Sequence, residues 1–132
     1  MKVLIDTSVW SLALRRRSQA QPAANELASL IRDGRATIIG PIRQEILSGI
    51  RESVAFEKLR AHLRAFPDVP LTSADYEEAT SFFSRCRARG IQGSNTDFLI
   101  CAAAVRNELG IFTTDGDFSR FARVLPIALH QP

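Results

Sequence analysis

Residues 2–8, Lys-Val-Leu-Ile-Asp-Thr-Ser, open the chain with a short apolar run broken by an acid and two hydroxyl residues. Such a run reads as a buried β-strand that delivers Asp6 at its carboxyl end. From Ser8 to Leu14, the apolar residues Val9, Trp10, Leu12 and Leu14 suit a short helix that ends at or before Arg15-Arg16-Arg17. Pro22 fits a first helical turn, and Leu27, Leu30 and Ile31 at i, i+3, i+4 spacing predict an amphipathic helix over 23–33, stopped by Gly34. Residues 36–39, Ala-Thr-Ile-Ile, read as a second strand closed by Gly40-Pro41.

Pro41 then opens a helix to about Ile50, with Ile42, Ile46, Gly49 and Ile50 on one stripe and Glu45 at its border. A further helix over 52–66 carries Phe56, Leu59 and Leu63, and Pro67 and Pro70 close it. Thr72-Ser73-Ala74-Asp75 supplies a cap for a helix over 74–89, whose apolar line is Tyr76, Ala79, Phe83 and Cys86 and whose end is Gly90. The next helix, 96–109, is apolar almost all round from Phe98 to Val105 and should be the most buried, with Gly110 as its cap. Residues 111–113 predict a third strand running into Thr114-Asp115-Gly116-Asp117-Phe118, followed by a short helix with Phe118 and Phe121 and an edge strand over 124–129. Strands separated by helices predict a three-layer α/β/α sandwich around a central parallel sheet, because parallel neighbours need helical crossovers.

Length and composition narrow the classes. The 132 residues fit one domain, 1–132, large enough to bury a core. No apolar run approaches the roughly 20 residues of a membrane helix, and the first strand is too short for a signal-peptide core, so a cytoplasmic location is expected. Cys86 and Cys101 lack the paired spacing of a zinc site and read as buried thiols. The formal net charge is +3, and 15 of the 17 basic residues are Arg, whose planar donors suit phosphate or carboxylate.

The acids carry the candidate chemistry. Asp6 ends the first strand and Asp115 follows the third, so a parallel sheet puts both at the edge where α/β folds bind ligands. Asp97 falls in the first turn of the buried helix, where the dipole stabilises an ionised acid. Each has an ordinary explanation as well: Asp97 as a helix-start acid, Glu45 as a solvated surface residue, Asp115 and Asp117 as turn or cap residues. If Asp6, Glu45, Asp97 and Asp115 meet, they need a cation to stay ionised together, and oxygen-only ligation suits Mg²⁺ or Mn²⁺. Setting those four aside leaves ten acids against seventeen bases, an acidic hole in a surface that attracts polyanions. The chemistry that follows is phosphodiester hydrolysis, with the hydroxyls of Thr7, Ser8, Thr113 and Thr114 orienting waters or carboxylates around the ion. Arg15, Arg16 and Arg17 are candidates for contacts to the phosphates of a polyanion, against the alternative of a solvated loop. His62 and His130 show no neighbour that would make either a general base, and neither is given a catalytic role.

Asp6-Thr7-Ser8-Val9-Trp10, Glu45 in a helix after the second strand, Asp97 opening an Ala-rich helix, and Thr113-Thr114-Asp115-Gly116-Asp117-Phe118 together resemble the PIN-domain ribonucleases. The likeness is greatest to the VapC-like toxins of type II toxin–antitoxin pairs, and it spans the chain. It implies a PIN-like fold, a Mg²⁺- or Mn²⁺-dependent endoribonuclease acting on RNA, a cognate antitoxin that blocks the site, and a homodimer. By the same resemblance Asp6, Glu45, Asp97 and Asp115 match the family's metal-binding acids, with Asp117 a further candidate. Competing readings are a PIN nuclease of RNA maturation or decay without an antitoxin, a phosphate-accepting signalling receiver, and a binding module without catalysis. A receiver needs an acidic pair after the first strand and a well-placed Lys, and Lys2 and Lys58 are the only lysines.

Overall fold

The computed structural model describes residues 1–14 and 21–132. Arg15, Arg16 and Arg17, expected to touch RNA, lie outside the described residues. Three short strands, β1 (Val3–Ile5), β2 (Ala36–Thr37) and β3 (Gly110–Phe112), form one parallel sheet in the order β2-β1-β3. The first two helices, α1 (Thr7–Leu14) and α2 (Pro22–Arg32), connect β1 to β2. Four more, α3 (Gly40–Ser48), α4 (Ser53–Leu63), α5 (Ser73–Ala88) and α6 (Asn95–Arg106), lead to β3, and α7 (Asp117–Phe121) follows it.

The central strand is β1, from which the chain first moves to β2 and later returns on the other side as β3. Parallel crossovers are right-handed, so the two excursions cover opposite faces of the sheet. In agreement, α2 packs on β2 while α6 packs on β1 and β3. The point where strand order reverses lies between β1 and β3, and a crevice opens there at the carboxyl ends of the strands. Asp6 continues the ladder at that point, donating its N–H to the Phe112 carbonyl at 2.9 Å.

Burial follows the apolar pattern. Every residue of β1 and β3 is buried, and so is each residue of α6 from Phe98 to Ala104. Phe82, Phe98, Phe118 and Phe121 are fully buried, each contributing about 1.5–3 kcal/mol of apolar transfer. Gly93 sits hard against them: a Cβ there would come within 2.6 Å of Cζ of Phe121 and 3.0 Å of a Phe98 ring carbon. The bond from Arg106 Nε to Asp75 Oδ1, 3.0 Å, ties the end of α6 to the buried start of α5.

Three local expectations are corrected. Residues 124–129 form no strand; Leu129 makes a lone parallel bridge to Ile111, because Pro126 has no N–H to donate. The second strand stops at Thr37, since Ile39 is already the N-cap of α3. Gly110 does not cap α6 but belongs to β3; the left-handed position after the helix is Glu108, at φ +55°. Gly34 and Gly90, by contrast, take positive φ at the ends of α2 and α5 as their positions predict.

Candidate active site

Asp6 is the anchor of the crevice. Only 6% exposed, it accepts hydrogen bonds from the Thr7 N–H at Oδ1 and from the Ser8 and Thr113 hydroxyls at Oδ2, each 2.8 Å. Those hydroxyls are held in turn. The Thr114 N–H donates to Ser8 Oγ at 3.1 Å, and the Asp115 N–H donates to Thr113 Oγ1 at 3.0 Å. Residues from β1 and from the turn after β3, more than a hundred positions apart, thus form one network around a single carboxylate. Ser8 and Thr113 enter it through their hydroxyls and Thr7 and Thr114 through their backbone N–H groups, while the Thr7 hydroxyl turns to Glu45.

The other acids arrive from separate elements. Glu45 stands on the exposed side of α3 between the buried Ile42 and Ile46 and accepts a long, 3.4 Å hydrogen bond from the Thr7 hydroxyl. Asp97 opens α6, where its carboxylate accepts the Ser94 N–H at 3.0 Å and its own N–H donates to Ser94 Oγ at 3.1 Å. This reciprocal capping box fixes the first turn and the acid with it. Asp115 Oδ1 accepts the Asp117 N–H at 2.9 Å and so starts α7. The N-cap of that helix is Gly116, so Asp117 is its first residue and not its cap, and it pairs with Arg120.

Electrostatics join what the sequence separates. Burial pushes the Glu45 carboxyl above its ordinary range, and the charges of Asp6 and Asp97 push it the same way. Asp97 is raised first by burial, then by Asp6 and Asp115, against the lowering effect of its Ser94 bonds. Asp6, Glu45, Asp97 and Asp115 therefore lie in one shared negative field. The buried Cys101 thiol is raised by burial and by Asp97 and Asp6, which keeps it neutral and unreactive.

Whether this set suits a divalent ion is a question of donors and spacing. Every donor is a hard oxygen, and the mutual repulsion is of the kind a cation relieves. Among the described residues no three His, Cys, Asp or Glu side chains stand close enough to hold an ion unaided. That spacing excludes a tight all-protein cage. It accords with Mg²⁺, which keeps several waters and takes one or two carboxylates directly.

Two features were not foreseen. Ser94, three residues before Asp97, was legible as a capping signature in Ser94-Asn95-Thr96-Asp97. His130 does have a partner: its Nε2 lies 2.6 Å from Glu26 Oε2 on α2, pinning the C-terminal segment beside β3. A separation of 104 positions left no sign of that pairing in the sequence.

The PIN domain family model matches residues 3–124, nearly the whole chain. The chain belongs to the PIN domain family. Its relatives include the VapC ribonuclease Mb1587 of Mycobacterium bovis and ribonuclease VapC11 of Mycobacterium tuberculosis, each 31% identical over 126 residues and covering 92% of both chains. Among solved structures, FitAcB of Neisseria gonorrhoeae superposes with a TM-score of 0.79 at 21% identity, covering 98% of this chain and 97% of that one. VapBC2 of Rickettsia felis, bound to a DNA fragment from its promoter, gives 0.74 at 17% identity with 98% of each chain covered. The PIN fold expected from the motifs is therefore the fold observed, and the crevice described above occupies the strand ends of a PIN domain.

Proposed function

We propose that this PIN domain, a single unit over 1–132, is a metal-dependent endoribonuclease and the toxin of a toxin–antitoxin pair. The observation that carries the reading is the shared field of Asp6, Glu45, Asp97 and Asp115 at the switch point of the sheet. It is supported by the ribonuclease names of relatives at 31% identity over 92% of the chain. One or two of those four acids would hold Mg²⁺ or Mn²⁺ directly and the others through waters the ion retains; Asp117 is the weaker candidate, since Arg120 already engages it.

When bound, the ion supplies charge neutralisation on the phosphoryl oxygens and a water of lowered pKa. The chain's own part is positional. Thr7, Ser8 and Thr113 fix both oxygens of Asp6, so that carboxylate meets the ion without reorganising. Ser94 holds Asp97 in the first turn of α6, and the Thr7 hydroxyl steadies Glu45. The basic, Arg-rich surface draws RNA toward this acidic hole. An antitoxin segment that covers the crevice would silence it, and the fold likeness to VapBC2 and FitAcB supports such a partner. A homodimer acting in the cytoplasm completes the reading.

The test is cleavage of RNA with Mg²⁺ or Mn²⁺, repeated in EDTA and with Asp6→Asn and Asp97→Asn. Cutting should vanish in all three controls while circular dichroism shows the fold intact. Undiminished cutting in EDTA overturns the assignment.

A further inference from the structure

A groove of about 570 Å³, separate from the carboxylate crevice, lies between α5 and the first turn of α6. We infer that it is a subsite for single-stranded RNA, in which a base stacks on Tyr76 and a phosphate farther along the strand meets Arg87, about three helical turns away on α5. This deepens the ribonuclease reading above and rests on it.

Three observations point that way. The first is position: Asn95 and Thr96, which line the groove, directly precede Asp97, so groove and carboxylates flank the same helical turn. The second is chemistry. Tyr76 is 53% exposed on the solvent side of α5, an open aromatic face of the kind that single strands stack on. Thr80, Asn95 and Thr96 add the hydroxyl and amide groups that meet sugar, phosphate and base edges. The third is charge. Among the described residues Arg87 is the one charged side chain lining the groove, with its guanidinium 5.4 Å from the centre of the Phe83 ring. Stacked there, it is held flat, and its N–H edge is suited to a phosphate. Arg85 and Arg89 reinforce the basic end of α5.

The lining mixes apolar side chains (Ala79, Phe83, Phe98, Leu99) with hydroxyl, amide and guanidinium groups, so a contact between copies is the alternative that the experiment must separate.

The experiment measures anisotropy of a short fluorescein-labelled single-stranded RNA in the Asp6→Asn background, together with KM for the same RNA in the otherwise wild-type chain. Tyr76→Ala should weaken binding about tenfold and raise KM to match, the loss expected for one stacked base, and Tyr76→Phe should restore both. Arg87→Gln should weaken binding and make the salt dependence shallower by about one phosphate contact. Unchanged affinity in both Tyr76→Ala and Arg87→Gln, with wild-type cutting intact, overturns the subsite and leaves the ribonuclease reading standing. A change in sedimentation on Tyr76→Ala also overturns it, by making the groove a contact between copies. A wild-type chain that neither binds nor cuts RNA overturns both readings together.

Discussion

Both oxygens of Asp6 are spoken for by three donors from two strand ends, and this decides how sensitive the site is to changes that remove no acid. Ser8 is the pivot of the network, since its hydroxyl donates to Asp6 and accepts from the Thr114 N–H. Ser8→Ala should lower RNA cleavage about 10- to 100-fold, the usual cost of losing a group that orients a metal ligand, and shift the metal dependence to higher concentration. A Mg²⁺ titration of initial rates checks this; an unchanged rate and half-saturation point would show that Asp6 is held well enough without it. The contribution of each residue was unevenly legible. Asp6 and Asp115 announce themselves because a strand end followed by hydroxyl residues is visible locally. Glu45 does not, because its neighbourhood is made by Thr7 and Asp97, from other elements.

The helices do more than cover the sheet; two of them set the position of Asp97. The Gly93-Ser94 turn that launches α6 is pressed on Phe121 of α7 and Phe98 of α6. Gly93→Ala forces those buried rings to move, and overpacking of this kind costs about 1–3 kcal/mol. Denaturant midpoints should fall accordingly, and cleavage should fall with them, because the same turn carries the Ser94 cap. At the far end of the pair, Asp75 accepts from the Thr72 N–H at 2.7 Å and from Arg106. Asp75→Asn removes the charge from both bonds and should destabilise the chain by about 2 kcal/mol without changing the metal requirement of cutting, as urea melts and EDTA controls would show. The helix boundaries predicted from periodicity agree with these elements to within three residues. Their errors fall where a tertiary contact competes: Pro126 breaks a strand pattern, and Glu108 rather than a glycine turns the chain into β3.

Four acids in one field also leave a signature in the stability of the molecule as a unit. The carboxyls of Glu45 and Asp97 have ordinary values of 4.5 and 3.8, and folding raises both. The native chain therefore holds those protons to higher pH than the unfolded chain. The stabilisation this gives is complete below the ordinary values and is lost as pH rises through the raised ones. Glu45→Gln isolates the effect from the other acids. In EDTA it should raise the melting temperature relative to wild type at about pH 7 and leave no difference at about pH 3.5, below both ordinary values. Added Mg²⁺ should then stabilise the wild type and stabilise Glu45→Gln less, because binding to the native state alone shifts unfolding by mass action. A Glu45→Gln chain that melts below wild type at neutral pH in EDTA would show that the acids are not in conflict.

Periodicity, turn residues and strand-end acids were enough for the alternation of elements, the parallel sheet and the delivery of Asp6 and Asp115 to one edge of it. Each of those follows from interactions between residues a few positions apart, whose spacing is written in the chain. What only the tertiary structure decided was which distant groups meet. Thr113 is brought to Asp6, Glu26 to His130, Tyr76 and Arg87 to the turn that carries Asp97, and Glu45 into the field of acids on other elements. Those meetings depend on crossover handedness and on how buried aromatic rings pack. Neither has a local period, so no window of sequence contains them.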